Sequence, residues 1–148
     1  MWRPIPYSSF YTPPDAPFPN GHIALRPILR VTLRNGNKAV PCYAVVDSGA
    51  DHCIFPLSFA LALDLNPLGR PCGTIGGVGN PSNPIYFWDI MLDLEPTLQI
   101  NAYVGFTEGL EAQGVGLLGQ CGFFDRVNVR FNHREKLFLI ETDDHTKP

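Results

Sequence analysis

The residues of this chain best suited to chemistry begin with a carboxylate at position 47. Apolar residues of strand-forming type occupy positions 43–46, and the chain continues with Asp47, Ser48, Gly49, Ala50 and Asp51. An ionised carboxylate at the end of a buried strand needs partners, because leaving it unpaired out of water is costly. Gly49 permits a sharp turn and the close approach of a ligand, while Ser48 offers one hydrogen-bond donor and two acceptor positions. The segment is therefore suited to presenting a carboxylate at the floor of a cleft, for general acid or base chemistry.

A plainer interpretation of Asp47 is also open. Asp commonly forms a turn at the end of a strand, where its side chain bonds to the backbone two residues further on. The triplet Asp47-Ser48-Gly49 is short enough to occur by chance, so it does not decide between a turn and a catalytic loop. The surrounding chain has to decide.

Length and composition favour a single domain built from short strands. The 148 residues are enough to bury one core. Glycine (14) and proline (15) are plentiful, which favours many strands and tight turns over a helical bundle. The net charge of −3 predicts no general affinity for nucleic acid or for acidic membrane surfaces, and no apolar run reaches the length of a membrane span.

The amino terminus and the cysteines bear on the compartment. Met1-Trp2-Arg3-Pro4 leads into no continuous apolar stretch, so we expect no signal peptide. The four cysteines are scattered without a C-x-x-C pair, which argues against a zinc site and against redox chemistry. His52 lies between Asp51 and Cys53, but neighbouring side chains on a strand alternate faces and cannot converge on one metal ion. We therefore expect no metal, no other cofactor, reduced cysteines and a cytoplasmic protein.

Residues 1–21 form a distinct segment that is rich in proline and aromatic residues. Its six prolines argue against regular hydrogen-bonded structure and favour an extended arm. Its aromatic residues suggest that the arm lies on a surface, either of its own barrel or of a partner subunit, and a disordered tail is the alternative. We therefore divide the chain into an arm at 1–21, a folded domain at 22–142 and a polar tail at 143–148.

From residue 23 onward the hydrophobic pattern is that of β-strands. Residues 23–34 alternate with period two, which places Ile23, Leu25, Leu29, Val31 and Leu33 on one face, and Asn35-Gly36 then gives a strong hairpin signal. The returning run 40–46 is nearly all apolar, which predicts a central strand covered on both faces. Further alternating runs cover 85–94, 98–106, 127–131 and 136–141, and short helical pieces are predicted at 57–65 and 123–125. The predicted fold class is all-β, a small closed β-barrel with one or two short helices.

A glycine-rich segment interrupts the strands at 74–80. It lacks the Gly-Lys-Ser/Thr sequence and the following helix that a phosphate-binding loop requires. Glycines flanked by strand residues instead predict the mobile tip of a hairpin.

Three segments, in this order, resemble the retropepsin-like aspartic proteases, the single-domain enzymes of retroviruses and their cellular and bacterial relatives. Asp47-Ser48-Gly49-Ala50-Asp51 resembles the catalytic loop, and Ile75-Gly76-Gly77-Val78-Gly79 resembles the glycine-rich flap. Leu117-Leu118-Gly119 resembles the apolar-apolar-glycine segment that packs behind the catalytic loop, with a short helix after it. The resemblance covers residues 23–141 and implies a barrel of the retropepsin (acid protease) type.

The resemblance also implies an activity, namely that of an aspartic endopeptidase with Asp47 as its catalytic residue. Since the sequence holds a single Asp-Ser-Gly triplet, the second carboxylate would come from another copy of the chain, which makes a homodimer necessary. The implied substrate is a peptide or an unfolded protein. The implied substrate-binding residues are Ser48, Gly49, Ala50, Asp51, Ile75, Gly76, Gly77, Val78 and Gly79, with Ser48 also bracing the two catalytic loops against each other.

Two features leave alternatives open. Gln120 stands where relatives often carry a charged residue able to pair with the residue at the Asp51 position, so Asp51 needs another partner, with Arg126 and Arg130 as candidates. In addition, a fold does not by itself imply an activity. The alternative function is therefore a catalytically silent retropepsin-fold module that binds peptides or serves dimerisation.

Overall fold

The structure is a computed structural model that describes residues 1–70, 72–77, 80–95 and 98–141. These residues form two compact units. Residues 29–126 make up the larger unit, and the smaller unit combines residues 1–28 with residues 127–141. No helix in the described ranges is both long enough and apolar enough to cross a bilayer.

Strands dominate both units. In chain order they are β1 (Trp2–Pro6), β2 (Ser8–Thr12), β3 (His22–Arg26), β4 (Ile28–Asn35), β5 (Lys38–Val46), β6 (Ile54–Pro56), β7 (Cys72–Gly77), β8 (Asn80–Leu94), β9 (Leu98–Thr107), β10 (Gly116–Leu118), β11 (Asn128–Asn132) and β12 (Leu137–Glu141). Within the described ranges the helices are one α-helix, α1 (Leu57–Ala62), and one short 3-10 helix at Glu108–Leu110.

Six strands of the larger unit close into a mixed barrel. Their hydrogen-bonded order is β4-β5-β10-β6-β9-β8, and β8 returns to β4 through pairs that run from Val31↔Leu94 to Arg34↔Met91. β10 runs parallel to β5 and β6 runs parallel to β9, whereas β8 and β9 are antiparallel. β7 lies outside the ring and pairs with β8. Closure removes the open edges of a flat sheet, and the predicted all-β closed barrel is confirmed.

Alternate residues of the barrel strands fill its interior. Of the residues that period two places on one face, Ile23 and Leu25 on β3 are exposed, whereas Leu29, Val31 and Leu33 on β4 are buried. Each such side chain, taken fully out of water, contributes about 1.5–3 kcal/mol to folding. The bulkiest fully buried side chains of this unit are Phe55, Phe106, Phe123, Leu33, Leu63, Leu92 and Leu118.

Strand β5 differs from its prediction. Its apolar run predicts burial on both faces, and this is wrong, because Tyr43 is 56% exposed while the next residue, Ala44, is fully buried. Burial alternates here as it does in a strand with one covered face. The run appears continuous in sequence because Tyr43 has an apolar ring, although its hydroxyl is well suited to water.

Helix α1 is shorter than the predicted 57–65. It ends at Ala62, and Asp64 adopts the left-handed conformation with φ of 58°. Pro56 precedes the first helical residue and gives no side-chain cap. The Glu111 carboxylate supplies one instead, accepting hydrogen bonds from the Ser58 N–H at 2.6 Å and from the Ser58 hydroxyl at 2.9 Å. A residue 53 positions away thus completes the helix N-terminus, which sequence-local capping signals could not indicate.

The second predicted helix, at 123–125, is wrong. The N–H groups of Phe124 and Asp125 donate to carbonyls five residues back, at Gly119 and Gln120, whereas an α-helix would use carbonyls four residues back. The segment is therefore a succession of turns, and these two hydrogen bonds anchor it to the residues that follow β10.

The smaller unit contains two sheets. One has the order β1-β12-β11, and the other is the antiparallel pair β2-β3. In the first sheet the Arg130 guanidinium lies 4.0 Å from the centre of the Trp2 ring, a cation–π contact. The division of the chain into arm, domain and tail stays a prediction, and residues 142–148 lie outside the described residues.

The expectation that prolines exclude regular structure from the arm is wrong for β1 and β2. β1 pairs with β12 from Trp2↔Glu141 to Pro6↔Leu137, and the Tyr7 N–H donates to the Lys136 carbonyl at 2.8 Å. Because successive N–H groups of a strand point to opposite sides, Pro4 and Pro6 occupy positions whose nitrogens face away from β12. Proline at every second position of an edge strand is therefore compatible with pairing.

Candidate active site

The loop that carries Asp47 is positioned by two parallel strands. β10 pairs with the end of β5 from Gly116↔Ala44 to Leu118↔Val46. The next bond of this ladder runs from the Asp47 N–H to the Leu118 carbonyl at 3.0 Å. Asp47 is thus the last residue held by the barrel, and its side chain is half-buried at the rim.

The Asp47 carboxylate is held by its own loop. Its Oδ1 accepts a hydrogen bond from the Gly49 N–H at 2.9 Å, and the Ala50 N–H donates to the Asp47 carbonyl at 3.2 Å. A Cβ at position 49 would lie 3.2 Å from that same Oδ1 and crowd it. The glycine therefore lets a backbone donor approach the carboxylate closely, as the sequence predicts.

The segment after β10 fixes the other side of the loop. The Gln120 N–H donates to the Ala50 carbonyl and the Cys121 N–H donates to the Asp51 carbonyl, both at 2.8 Å. Gly119 lies directly against the Ala50 and His52 carbonyls, since a Cβ there would be 2.6 Å from the Ala50 oxygen and would also collide with the His52 oxygen. The predicted packing of Leu117-Leu118-Gly119 behind the loop is therefore backbone-to-backbone contact at the glycine.

The Gln120 side chain reaches the loop as well. Its Nε2 donates to the Ser48 carbonyl at 2.9 Å. In sequence this residue is notable only as a neutral replacement for a charge, and its bond to Ser48 has no sequence signal. Ser48 and Gly49 are otherwise exposed at the tip of the loop.

Asp51 is exposed, and Arg126, one suggested partner, lies near another carboxylate, while a pairing with Arg130 stays a prediction. Arg126 lies 3.9 Å from Asp125, and Arg130 belongs to the smaller unit, where it stacks on Trp2. Within the described residues of the larger unit, the ion pairs do not include Asp51. Its backbone carbonyl, held by Cys121, is what fixes its place.

The predicted flap residues fall on a separate hairpin. Ile75, Gly76 and Gly77 end β7, which pairs with β8 from Cys72↔Tyr86 to Gly77↔Asn80, with a shift of register between Ile75 and Gly77. Val78 and Gly79 lie outside the described residues. The segment is thus part of a β-hairpin, and the predicted loop residues 47–51 lie on another element.

His52, the residue after Asp51, packs against aromatic side chains of β8 and β9. The His52 ring meets Phe87 edge-on at 5.2 Å between ring centres, and Phe87 stacks on Tyr103 at 5.3 Å. A histidine packed in this way is held by ring contacts. Among the described residues, no group of three or more metal-ligating side chains comes together.

The four cysteines are free thiols in two classes. Cys42 and Cys53 are buried, and burial raises the pKa of Cys42 to about 12 and that of Cys53 to about 11. Cys72 and Cys121 are exposed. Since the thiolate is the reactive form, the buried pair is inert at neutral pH on two counts, access and ionisation.

Iodoacetamide at pH 8 should therefore modify the folded protein at Cys72 and Cys121 and leave Cys42 and Cys53 unmodified. Peptide mass mapping after a short exposure reads this out, with the protein in denaturant as the control in which all four react. Modification of Cys42 or Cys53 in the folded protein at the rate of Cys72 would contradict the burial of those thiols.

Comparison with known proteins shows the fold. No family model matches the sequence, and no curated protein matches it. Among solved structures, the crystal structure of a retropepsin-like aspartic protease from Rickettsia conorii matches with a TM-score of 0.56 over 89% of this chain and 98% of that chain. The fold is retropepsin-like. At 14% sequence identity, this match shows the retropepsin-like fold and leaves the activity to be argued from the site.

Proposed function

We propose that this chain is an aspartic endopeptidase that acts as a homodimer. The observation that carries the proposal is the hydrogen bond from the Gly49 N–H to Asp47 Oδ1, at the end of the parallel pair β5-β10 of a retropepsin-like fold. It orients a carboxylate at the rim of the barrel, where the side chain is only half-buried. A group so placed can meet both water and a substrate.

Peptide hydrolysis requires a base that activates water and an acid that protonates the departing nitrogen. Two carboxylates that share one proton supply both. At about 3 Å and an effective dielectric near 20, two carboxylate charges repel by roughly 5 kcal/mol, so the pair holds a proton between them. This is the known arrangement of aspartic protease dyads.

One chain supplies half of this pair. The sequence has one Asp-Ser-Gly triplet, and so the second carboxylate is the Asp47 of a second copy. Two-fold symmetry brings identical loops face to face, because each copy presents the same surface to the other. The exposure of Ser48 and Gly49 at the loop tip is compatible with such a contact.

The substrate is proposed to be a peptide or an unfolded protein, bound in extended form. Gly49, Ala50 and Asp51 would line one side of it, with Ser48 bracing the paired loops. The β7-β8 hairpin, with Ile75, Gly76 and Gly77 and the adjoining Val78 and Gly79, would close over it as a flap. Closure excludes water and positions the peptide.

Incubation of the protein with reduced, alkylated casein from pH 3.5 to 7 tests the function. We expect internal cleavage with a bell-shaped pH profile and an acidic or mildly acidic optimum, blocked by a peptide that contains a statine residue in place of the scissile bond. Binding of the statine peptide without any cleavage would favour the catalytically silent peptide-binding module. Absence of both would contradict the proposal.

We also propose a cytoplasmic location. The four free thiols support it, since a reducing compartment keeps cysteines unpaired.

A further inference from the structure

We propose that Gln120 is a positioning residue for Asp47 and acts through the peptide group that joins Ser48 to Gly49. This inference rests on the endopeptidase function proposed above, because it assigns Gln120 a part in orienting the catalytic carboxylate. The Gln120 side chain bonds to the Ser48 carbonyl, and the Asp47 carboxylate accepts its bond from the Gly49 N–H.

Two hydrogen bonds meet on one peptide group. The Ser48 carbonyl accepts from Gln120 Nε2 at 2.9 Å, and the Gly49 N–H donates to Asp47 Oδ1 at 2.9 Å. That carbonyl and that N–H belong to the same planar unit and point in opposite directions from it. The side-chain amide of Gln120 therefore sets the tilt of the plane, and the tilt sets the place of Oδ1.

The same arrangement strengthens the bond to Asp47. A donor on the carbonyl of a peptide polarises the group, which makes its N–H a better donor, and hydrogen bonds in series reinforce one another. The bond to an ionised carboxylate is charge-assisted, so it responds to this polarisation more than a neutral bond would. A glutamine does this without placing a further charge beside the pair of carboxylates.

Gln120 is itself well anchored. Its N–H donates to the Ala50 carbonyl at 2.8 Å, and its carbonyl accepts from the Asp125 N–H at 3.1 Å. The side chain thus extends from a fixed backbone to a Ser48 residue that is exposed. Water could satisfy the Ser48 carbonyl equally well, but a mobile water fixes no orientation. Gln120 therefore contributes a fixed orientation of the peptide group that joins Ser48 to Gly49.

Gln120→Met removes the donor and keeps the length of the side chain. We expect kcat on a peptide substrate to fall about five- to tenfold, with KM changed less than about twofold, because the loss falls on the orientation of the reacting group. The matched control is Gln113→Met, since Gln113 is exposed and its side chain forms no hydrogen bond with the described residues. Equal kcat in Gln120→Met and wild type would contradict the inference.

Gln120→Glu gives a signature that a structural role would not produce. The introduced carboxyl, with an ordinary pKa of about 4.3, is ionised near pH 6 and then faces the Ser48 carbonyl as one acceptor against another. Below about pH 4 it is protonated and can donate, as Gln120 does. Its activity relative to wild type should therefore rise as the pH falls, whereas the ratio for Gln120→Met should stay flat.

The Gly49 amide proton reports the link without any activity. In the Gln120→Met protein its NMR resonance should move upfield and its exchange with solvent should become faster, because the bond to Asp47 weakens. If wild type neither cleaves casein nor binds the statine peptide, the endopeptidase proposal fails and this measurement still decides the link. A Gly49 resonance and exchange rate unchanged by Gln120→Met would overturn the inference.

Discussion

Asp47→Asn is expected to abolish peptide cleavage while the protein stays folded. The carboxamide is close in size to the carboxylate, and its oxygen can still accept the Gly49 N–H bond that shapes the loop. It cannot take up the proton from the attacking water, so the base is lost from both subunits of a dimer at once. We expect kcat to fall by about a hundredfold to ten-thousandfold, the range of a lost general acid–base group.

A matched variant separates chemistry from charge. Asp89→Asn makes the same exchange at an exposed position on β8 and should leave cleavage unchanged. The two variants should also show similar circular dichroism and melting temperatures. Turnover of Asp47→Asn within tenfold of wild type, on the same substrate and at the same pH, would remove Asp47 from the catalytic role.

Gly119→Ala is expected to be the most destabilising small substitution near the site. Its Cβ would lie 2.6 Å from the Ala50 carbonyl oxygen and would collide with the His52 oxygen as well. Both partners are backbone atoms, and the Ala50 carbonyl is held by the Gln120 N–H, so neither can rotate away as a side chain would. We expect a loss of at least about 2 kcal/mol in the free energy of unfolding, typical of severe overpacking.

Urea denaturation measures this effect, and Gly73→Ala supplies the control. A Cβ at position 73 would lie 3.5 Å from the Phe87 ring, an ordinary contact, so that substitution should change stability by less than about 1 kcal/mol. Because Gly119 packs against the carbonyls of the loop that carries Asp47, its variant should also lose the proposed activity at temperatures where it remains folded. Equal stability of the two variants would contradict the close backbone contact behind the loop.

Local patterns predicted much of the barrel and the shape of the loop. The alternation at Leu29, Val31 and Leu33 predicted an inward face, since a strand repeats every two residues. The glycine at position 49 predicted that another group could approach the backbone closely, and the Gly49 N–H does bond to the Asp47 carboxylate two residues before it. Such features depend on neighbours in the chain, and sequence contains that information directly.

Features that depend on distant partners were not predicted. The Gln120 bond to Ser48 spans 72 positions, and the Glu111 bonds to Ser58 span 53. Neither pair shows a motif, because any residue with a donor or acceptor of the right reach could serve. The prediction that Pro4 and Pro6 exclude regular structure failed for a related reason. Only the pairing with β12, which is distant in sequence, shows that their nitrogens face away from the neighbouring strand.

In the proposed enzyme one active site needs an Asp47 from each of two chains, and mixed dimers test this requirement directly. Wild type and Asp47→Asn are refolded together in known proportions, and cleavage is measured at a constant amount of wild type. If both carboxylates are required, an equal mixture holds about a quarter of its dimers in active form, and since it contains twice as many dimers, its activity falls to about half that of the same amount of wild type alone. Activity that depends on the amount of wild type alone, whatever excess of Asp47→Asn is present, would contradict a shared site.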